Sequence, residues 1–274
     1  MPDFLVWPGL ILLGVVVGAY GTMIGAGGGF VLVPLLLLLY PSDPPELVTA
    51  MSIGVVFFNA LSGTFAYIRQ RRIDFVGANA FALATIPGAI VGSLVTSYVP
   101  RNLFNVIFAL VLLCAAAVLI LRPEPRVVGR TNRRGEIMRM ITDRRGDTFA
   151  FSYNLWYGIV ISIFIGFLAS LLGIGGGLIH VPVMIQVLHY PAHIATGTSH
   201  YVLTVTAGTS AMVHLLAGDY EGGYMRTAAL AVGVIAGAQV GAIISARLHG
   251  AIIVRFMAIA LLALGARLLI TTLY

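Results

Sequence analysis

The sequence has almost no cysteine, no lysine and few charged residues. Its single cysteine, Cys114, excludes an internal disulfide and a multi-cysteine metal site. Charged residues make up 9% of the 274 residues, whereas soluble domains carry about a quarter. Hydrophobic residues make up 59%, and the mean hydropathy is +0.99. This composition is that of a protein embedded in a membrane.

Acidic residues are absent from the middle of every apolar run. Cation transporters and carboxylate proton relays generally place an acid inside the membrane, so both classes are disfavoured. The ten acidic residues lie in predicted loops or at span ends: Asp3, Asp43, Glu46, Asp74, Glu124, Glu136, Asp143, Asp147, Asp219 and Glu221.

Enzyme and metal-site motifs are also missing. The sequence contains no His-Glu-x-x-His, no Gly-x-Ser-x-Gly and no intramembrane acid pair, so we expect no catalytic site. His189 and His193 are four residues apart, but Pro191 separates them and no acid or cysteine completes a ligand set. We therefore expect no metal and no cofactor.

Long apolar runs are what the chain does contain, and each can cross a hydrocarbon core of about 30 Å. The first run is too long for a signal peptide and lacks a basic flank, so no cleaved leader is expected. The predicted spans are 8–40, 47–68, 76–97, 103–121, 152–190, 196–217, 224–246 and 250–272.

All 16 basic residues are arginines, and eight of them lie between Arg122 and Arg145. The formal charge of +6 could indicate nucleic-acid binding. In a membrane protein, a cluster of arginines confined to one loop is instead typical of a cytoplasmic loop beside anionic lipid. We expect this loop to be irregular or a surface helix, and we expect no nucleic-acid partner.

The two sides of this loop repeat each other. "GAGGGFVLVP" (25–34) matches "GIGGGLIHVP" (173–182) at an offset of 148, "AMS" (50–52) matches "GTS" (197–199) at 147, and "PGAIVG" (87–92) matches "AGAQVG" (236–241) at 149. This order predicts an all-α, polytopic membrane protein built by internal duplication. Its parts are a first repeat of four segments at 1–121, an Arg-rich cytoplasmic loop at 122–151 and a second four-segment repeat at 152–274.

The first segment of each repeat is too long for one straight span, since 33 residues of helix measure about 50 Å. Each must break at its Gly-x-Gly-Gly-Gly stretch. If the broken segment still crosses, the repeats are parallel. If it re-enters, they are inverted. Either topology places 13 of the 16 arginines on the cytoplasmic side, so charge does not separate the two.

The glycines predict a loop that feeds a half-helix near the middle of the membrane. Pro34 and Pro182 follow at the same distance in each repeat. The start of such a half-helix presents free N–H donors and about half a positive charge, which suits an anion. Close helix packing is the alternative. A dinucleotide fingerprint is disfavoured because Phe30 and Leu178 replace its last glycine.

Uncharged hydrogen-bonding residues accompany these glycines within the spans. In the sixth span, Ser199, Thr206 and Ser210 share one face. Each hydroxyl could instead bond to its own helix, and each histidine could be neutral and bonded to a neighbour or could carry a coupling proton. The candidate substrate-binding residues are Gly25, Gly27, Gly28, Gly29, Ser52, Asn59, Gly173, Gly175, Gly176, Gly177, His180, Thr198, Ser199, His200, Thr206 and Ser210.

The paired glycine segments, with "HIATGTSHYVLTVTAGTSAMVHL" (193–215) after the second, resemble the TauE/SafE family of sulfite and organosulfur anion exporters. The resemblance covers nearly the whole chain and is more specific in the second repeat, since the first has "TAMSIG" in place of "ATGTS". It implies secondary-type transport of small anions such as sulfite, sulfoacetate or related sulfonates. Members of the family differ in the anion they carry.

The leading hypothesis is a multi-pass carrier of the cell (plasma) membrane, with an anion site between two repeats that rock to alternate its access. An anion channel or sensor with the same site, or a carrier of another small organic solute, is the alternative. The expected partners are a small anionic substrate, the lipid bilayer and a coupling ion, either a proton or sodium. The sequence leaves the oligomeric state open.

Overall fold

The computed structural model describes residues 3–121 and 136–273, with side chains described for most of them. Within these residues the chain forms ten helices and one β-hairpin. The helices are α1 (Asp3–Met23), α2 (Gly29–Leu39), α3 (Pro45–Gln70), α4 (Phe75–Thr96), α5 (Arg101–Leu121), α6 (Leu155–Leu171), α7 (Gly177–Gln186), α8 (Ala192–Ala217), α9 (Tyr224–Arg247) and α10 (Gly250–Leu273).

Helices dominate because lipid offers no partners for backbone N–H and C=O groups, and a helix bonds them internally. Six helices of the described chain are long and apolar enough to cross a membrane: α1, α3, α4, α5, α9 and α10. α8 is as long as α3, at 26 residues, but carries more polar side chains, most of them buried. The prediction of an all-α, multi-pass membrane protein is confirmed.

Both long first segments are interrupted at their glycines. Helix α1 ends at Met23 and α2 begins at Gly29, while α6 ends at Leu171 and α7 begins at Gly177. The following half-helices are short, with 11 residues in α2 and 10 in α7. Each repeat therefore has the same order, a broken helix pair followed by three long helices.

The directions of the helices follow from glycine contacts. Three glycines of α9 each face a carbonyl oxygen of α1: Gly233 faces Ile11, Gly237 faces Val15 and Gly241 faces Ala19. Because the residue numbers increase together along the two helices, α1 and α9 run parallel. Helices α4 and α6 run parallel in the same way, with Gly88 against Ile163 and Gly92 against Phe167. These two interfaces occupy equivalent places in the two repeats.

The second broken pair enters and leaves from one side of the molecule. Tyr153, two residues before α6, and Tyr190, between α7 and α8, both donate hydrogen bonds to the carboxylate of Asp74, at 2.6 and 2.8 Å. Both ends of the α6–α7 pair therefore lie beside the start of α4. We call this end of the molecule the hairpin side, because it carries the β-hairpin.

The first broken pair, α1–α2, enters and leaves from the opposite side of the molecule. Asp43, between α2 and α3, pairs with Arg226 in the first turn of α9 at 2.7 Å. Since α1 runs parallel to α9, its start also lies at that end. Both broken pairs are thus re-entrant, the repeats are inverted, and the long helices that cross the molecule are α3, α4, α5, α8, α9 and α10. The topology that charge left open is decided by these contacts.

The linker between the repeats departs from its prediction as a loop or surface helix. Its described part forms an antiparallel β-hairpin of β1 (Glu136–Thr142) and β2 (Thr148–Asn154). Alternation of apolar side chains in "TFAFSYN" suits a half-buried strand. Residues 122–135, with five of the eight arginines, lie outside the described residues, and α6 begins at Leu155 rather than at 152.

Buried polar contacts fix the hairpin to the helices. Arg139 donates to Asp74 at 2.9 Å, and Arg72 pairs with Asp143 at 2.7 Å. Burial, with the hydrogen bond to Asp74, raises the pKa of Tyr153 well above its usual range, so its phenol remains a donor. The hairpin is therefore part of the packed structure and not a detached loop.

Replacing Gly237 by alanine tests the α1–α9 interface. Its new methyl group would lie 2.2 Å from the Val15 carbonyl oxygen, which forces the helices apart. We expect the free energy of unfolding to fall by about 1–3 kcal/mol. Gly9→Ala, in the same interface helix but with open space around it, should instead be neutral or stabilising because alanine favours a helix. Melting temperatures in detergent measure both, and equal values would contradict this packing.

Candidate functional site

The two interrupted segments form matching loops, residues 24–28 and 172–176, which we call the glycine loops. Their backbone follows the same path, with φ of 76° at Gly27 and 73° at Gly175. L-residues with side chains rarely adopt this conformation. The Ala26 and Ile174 amides bond back to the preceding helix at 2.8 and 3.0 Å. The loops are therefore ordered turns built in the same way.

Each glycine loop is held by a serine of the other repeat. Ser52 of α3 donates its hydroxyl hydrogen to the Gly173 carbonyl oxygen at 2.7 Å, and Ser199 of α8 donates to the Gly25 carbonyl oxygen at 3.1 Å. Both serines are fully buried. These two bonds occupy equivalent positions in the repeats, so each repeat supplies a partner that the other loop needs.

The loops also touch each other. A methyl group on Gly29 would lie 2.9 Å from the Gly173 carbonyl oxygen, and one on Gly177 would lie 2.6 Å from that of Gly25. Side chains at these positions would separate the loops. The glycines therefore allow two stretches of backbone to meet at the centre of the molecule.

Two apolar side chains close the space beside the loops. Val56 of α3 and Leu203 of α8 are fully buried and, with Ala60 and Ala207, form a small apolar cluster of their own. Hypothetical methyl groups at Gly27 and Gly175 would lie 2.3 Å from Leu203 and 2.5 Å from Val56. We call this the Val56–Leu203 cluster, and it fills the space between the repeats where the loops meet.

Several amide groups at the loops have no internal acceptor. Within the described residues, hydrogen-bond acceptors are missing for the N–H groups that start α2 and α7, namely those of Gly28, Gly29, Phe30, Gly176, Gly177 and Leu178. This follows from helix geometry, since the first N–H groups have no carbonyl one turn earlier. Each helix start also carries about half a positive charge. Two such starts lie at the centre of the protein.

A chain of polar contacts supports the first loop. Asn59 donates to the Gly27 carbonyl oxygen at 3.0 Å, and Thr22 donates to the Asn59 side-chain oxygen at 3.2 Å. His200 Nε2 lies 3.3 Å from the Thr22 hydroxyl, and Tyr67 donates to the Thr22 carbonyl oxygen at 2.7 Å. Because Thr22 already donates to Asn59, His200 must donate through Nε2, and its buried Nδ1 finds no partner in the described chain.

Other predicted side chains form hydrogen bonds outside the loops. Thr198 accepts a bond from the Asp74 amide at 3.0 Å, and His180 Nε2 lies 3.0 Å from the Ser162 hydroxyl. Thr206 and Ser210 join α8 to α4; their hydroxyl oxygens lie 2.7 Å from that of Thr85 and 2.5 Å from that of Ser93. Among the predicted side chains, Ser52, Asn59, Ser199 and, through Thr22, His200 bond to the loops or to their supports. His180 lies against the second loop, since a methyl group on Gly176 would be 3.7 Å from its Nδ1.

Residues at this site that were not predicted include Thr22, Tyr67, Val56 and Leu203. The repeat offset could have found two of them, because Val56 and Leu203 are 147 residues apart, as Ser52 and Ser199 are. Thr22 lies just before the first glycine segment, and nothing in the local pattern marks Tyr67. These two apolar side chains close the site, and a search for polar side chains at an anion site does not identify them.

The two halves of this multi-pass membrane protein meet through paired, interrupted helices, an arrangement that is found in membrane transporters. Comparison with known sequences agrees. The family described as "Sulfite exporter TauE/SafE" matches residues 10–268. The chain belongs to this family, and it is a membrane transporter of the TauE/SafE type.

Curated relatives carry matching names. "Probable membrane transporter protein YunE" of Bacillus subtilis (strain 168) is 30% identical over 266 residues, which are 95% of this chain and 96% of that protein. "Probable membrane transporter protein MJ0441" of Methanocaldococcus jannaschii is 25% identical over 227 residues, or 80% and 75% of the two chains. No solved structure shows a significant match.

Removing either loop-binding serine hydroxyl should destabilise the protein by a similar amount. In Ser52→Ala or Ser199→Ala, a buried carbonyl loses its side-chain donor, which costs about 1–3 kcal/mol. Ser97→Ala is the control, because Ser97 is exposed and its hydroxyl bonds only weakly, at 3.4 Å, to Leu94; it should change stability by less than about 0.5 kcal/mol. Thermal unfolding in detergent measures all three. Loop serines that behave like Ser97 would refute the cross-repeat contacts.

Proposed function

We propose that this protein is a secondary-type carrier of small anions, most specifically sulfite or organosulfonates such as sulfoacetate, driven by a proton or sodium gradient. The substrate site lies between the repeats at the two glycine loops, and access to it alternates between the two sides. The observation that carries this proposal is the pair of helix starts with free amides, held in one place by Ser52 and Ser199.

Electrostatics favours an anion at this place. Two helix starts at about half a positive charge each supply roughly one unit of positive charge in a low-dielectric interior. The carboxylates that form ion pairs in the described residues lie near the ends of the molecule: Asp74 and Asp143 on the hairpin side, Asp43 and Asp219 on the other. A sulfite or sulfonate group presents several oxygens that can accept bonds from amides and hydroxyls at once.

The described conformation is closed around the site. The Val56–Leu203 cluster occupies the space where the loops meet, so it must part when a substrate enters. Rocking of one repeat against the other separates α3 from α8 and breaks a serine bond to the opposite loop. The released serine hydroxyl then becomes a donor for the anion, and the freed loop carbonyl moves out of its way.

Gly175→Ala should abolish transport while the protein still folds. The new methyl group would meet both Val56 and Leu203 at a residue with φ of 73°. Gly218→Ala is the matched control, since Gly218 has φ of 82° with open space around it and lies in the α8–α9 turn. Uptake of labelled sulfite into proteoliposomes should fall at least tenfold in Gly175→Ala and stay near wild type in Gly218→Ala. Equal uptake in the two variants would remove the loop from the mechanism.

A carrier differs from a channel or sensor in its exchange kinetics. Proteoliposomes preloaded with unlabelled sulfite should accumulate labelled sulfite transiently by counterflow, with saturation as the external concentration rises. Purified protein should also be stabilised against heat by sulfite or sulfoacetate in a concentration-dependent way, and less by carboxylates of similar size. Flux without counterflow would favour the channel. Stabilisation by carboxylates alone would favour a carrier of another organic solute.

A further inference from the structure

A cavity of about 360 Å³ opens on the hairpin side of the molecule. Its walls come from the turn of the β-hairpin and from the ends of α3 and α9. The hairpin turn is fixed there by backbone contacts: the Arg144 amide donates to the Gln70 carbonyl oxygen at 3.0 Å, and the Arg145 guanidinium donates to the Ala246 carbonyl oxygen. Three separate elements therefore build this cavity.

Arginines dominate the lining of this cavity. Arg72 is buried and paired with the buried Asp143, so these two charges offset each other. Burial alone would raise the pKa of Asp143, but the hydrogen bond and charge of Arg72 hold it below its usual value. Arg144, Arg145 and Arg247 also line the cavity and form no ion pair with a carboxylate in the described part of the chain.

The net charge of the cavity is positive after its helix ends are counted. The C-terminal ends of α3 and α9 each contribute about half a negative charge, roughly one unit together. The three arginines without a carboxylate partner carry three positive charges, so about two units of positive charge remain after the helix ends are subtracted. The cavity therefore holds more arginines than the C-terminal ends of α3 and α9 need for their stabilisation. The remaining positive charge favours an anionic ligand.

One wall of the cavity is apolar and continues onto the outer surface. Ile243 lines the cavity and is 54% exposed. Val240 and Ile244 of the same helix are also exposed, as expected of a surface that faces lipid. The ligand must therefore suit a basic cavity at one end and an apolar helix face at the other.

We propose that this cavity binds the phosphate group of an anionic phospholipid, whose acyl chain lies along Ile243. Arginines beside a membrane surface recognise such phosphates by charge and by paired N–H donors. A lipid bound here connects the hairpin to α9 and stabilises the end of the molecule where the two repeats are linked. This site is independent of the transported anion.

The test uses the purified, delipidated full chain in a neutral detergent, titrated with phosphatidylglycerol, phosphatidylcholine or inorganic phosphate while the melting temperature is followed. Phosphatidylglycerol should raise it in a saturable way, and phosphatidylcholine should not. In Arg144→Gln/Arg247→Gln, both exposed positions, the apparent affinity for phosphatidylglycerol should fall at least tenfold.

The matched control is Arg69→Gln/Arg255→Gln, which removes two exposed arginines from the same end of the molecule but outside the cavity. This variant should keep the wild-type response. Equal losses in both double variants would show general attraction to a basic surface and would overturn the site. Stabilisation by inorganic phosphate that matches phosphatidylglycerol, and that Arg144→Gln/Arg247→Gln removes, would overturn the assignment to a lipid.

Discussion

A helix that is interrupted inside a membrane must find partners for the backbone groups that the break exposes, and this constraint organises the whole molecule. The Gly25 and Gly173 carbonyl oxygens are satisfied by Ser199 and Ser52, each from the other repeat. A buried carbonyl without a donor would cost about 1–3 kcal/mol. Each loop therefore takes one of its hydrogen-bond donors from the other repeat.

The glycines serve this arrangement in two ways. They allow the backbone path of the loops, and they let the loops approach until Gly29 meets Gly173 and Gly177 meets Gly25. What remains unsatisfied is a set of amides at the starts of α2 and α7, which a protein with no internal substrate would be expected to cover. Under the proposed function, the same backbone that is costly to place in the membrane supplies the preference for a negatively charged substrate.

The hairpin side shows a second use of polar contacts, to attach a β-hairpin firmly to a helical membrane protein. Asp74 collects three donors, from Tyr153, Tyr190 and Arg139, and so joins the linker between the repeats to turns of both. Because the carboxylate is fully buried, losing any one donor would leave charge incompletely solvated. The proposed lipid site lies in the arginine-lined cavity beside this cluster.

The sequence alone determined that the chain is a multi-pass membrane protein with two similar halves, each with a break at its glycines, because composition and repeat offsets are local properties. It did not determine whether the broken segments cross or re-enter, since both topologies place the arginines equally well. Only tertiary contacts decided this, through the parallel packing of α1 on α9 and of α4 on α6. They also separated Ser199, which reaches a loop, from Thr206 and Ser210 on the same face, which reach α4. The helical periodicity of the sequence predicts that these three side chains point in one direction. It does not predict which neighbouring element each side chain contacts, because that neighbour changes along the length of the helix.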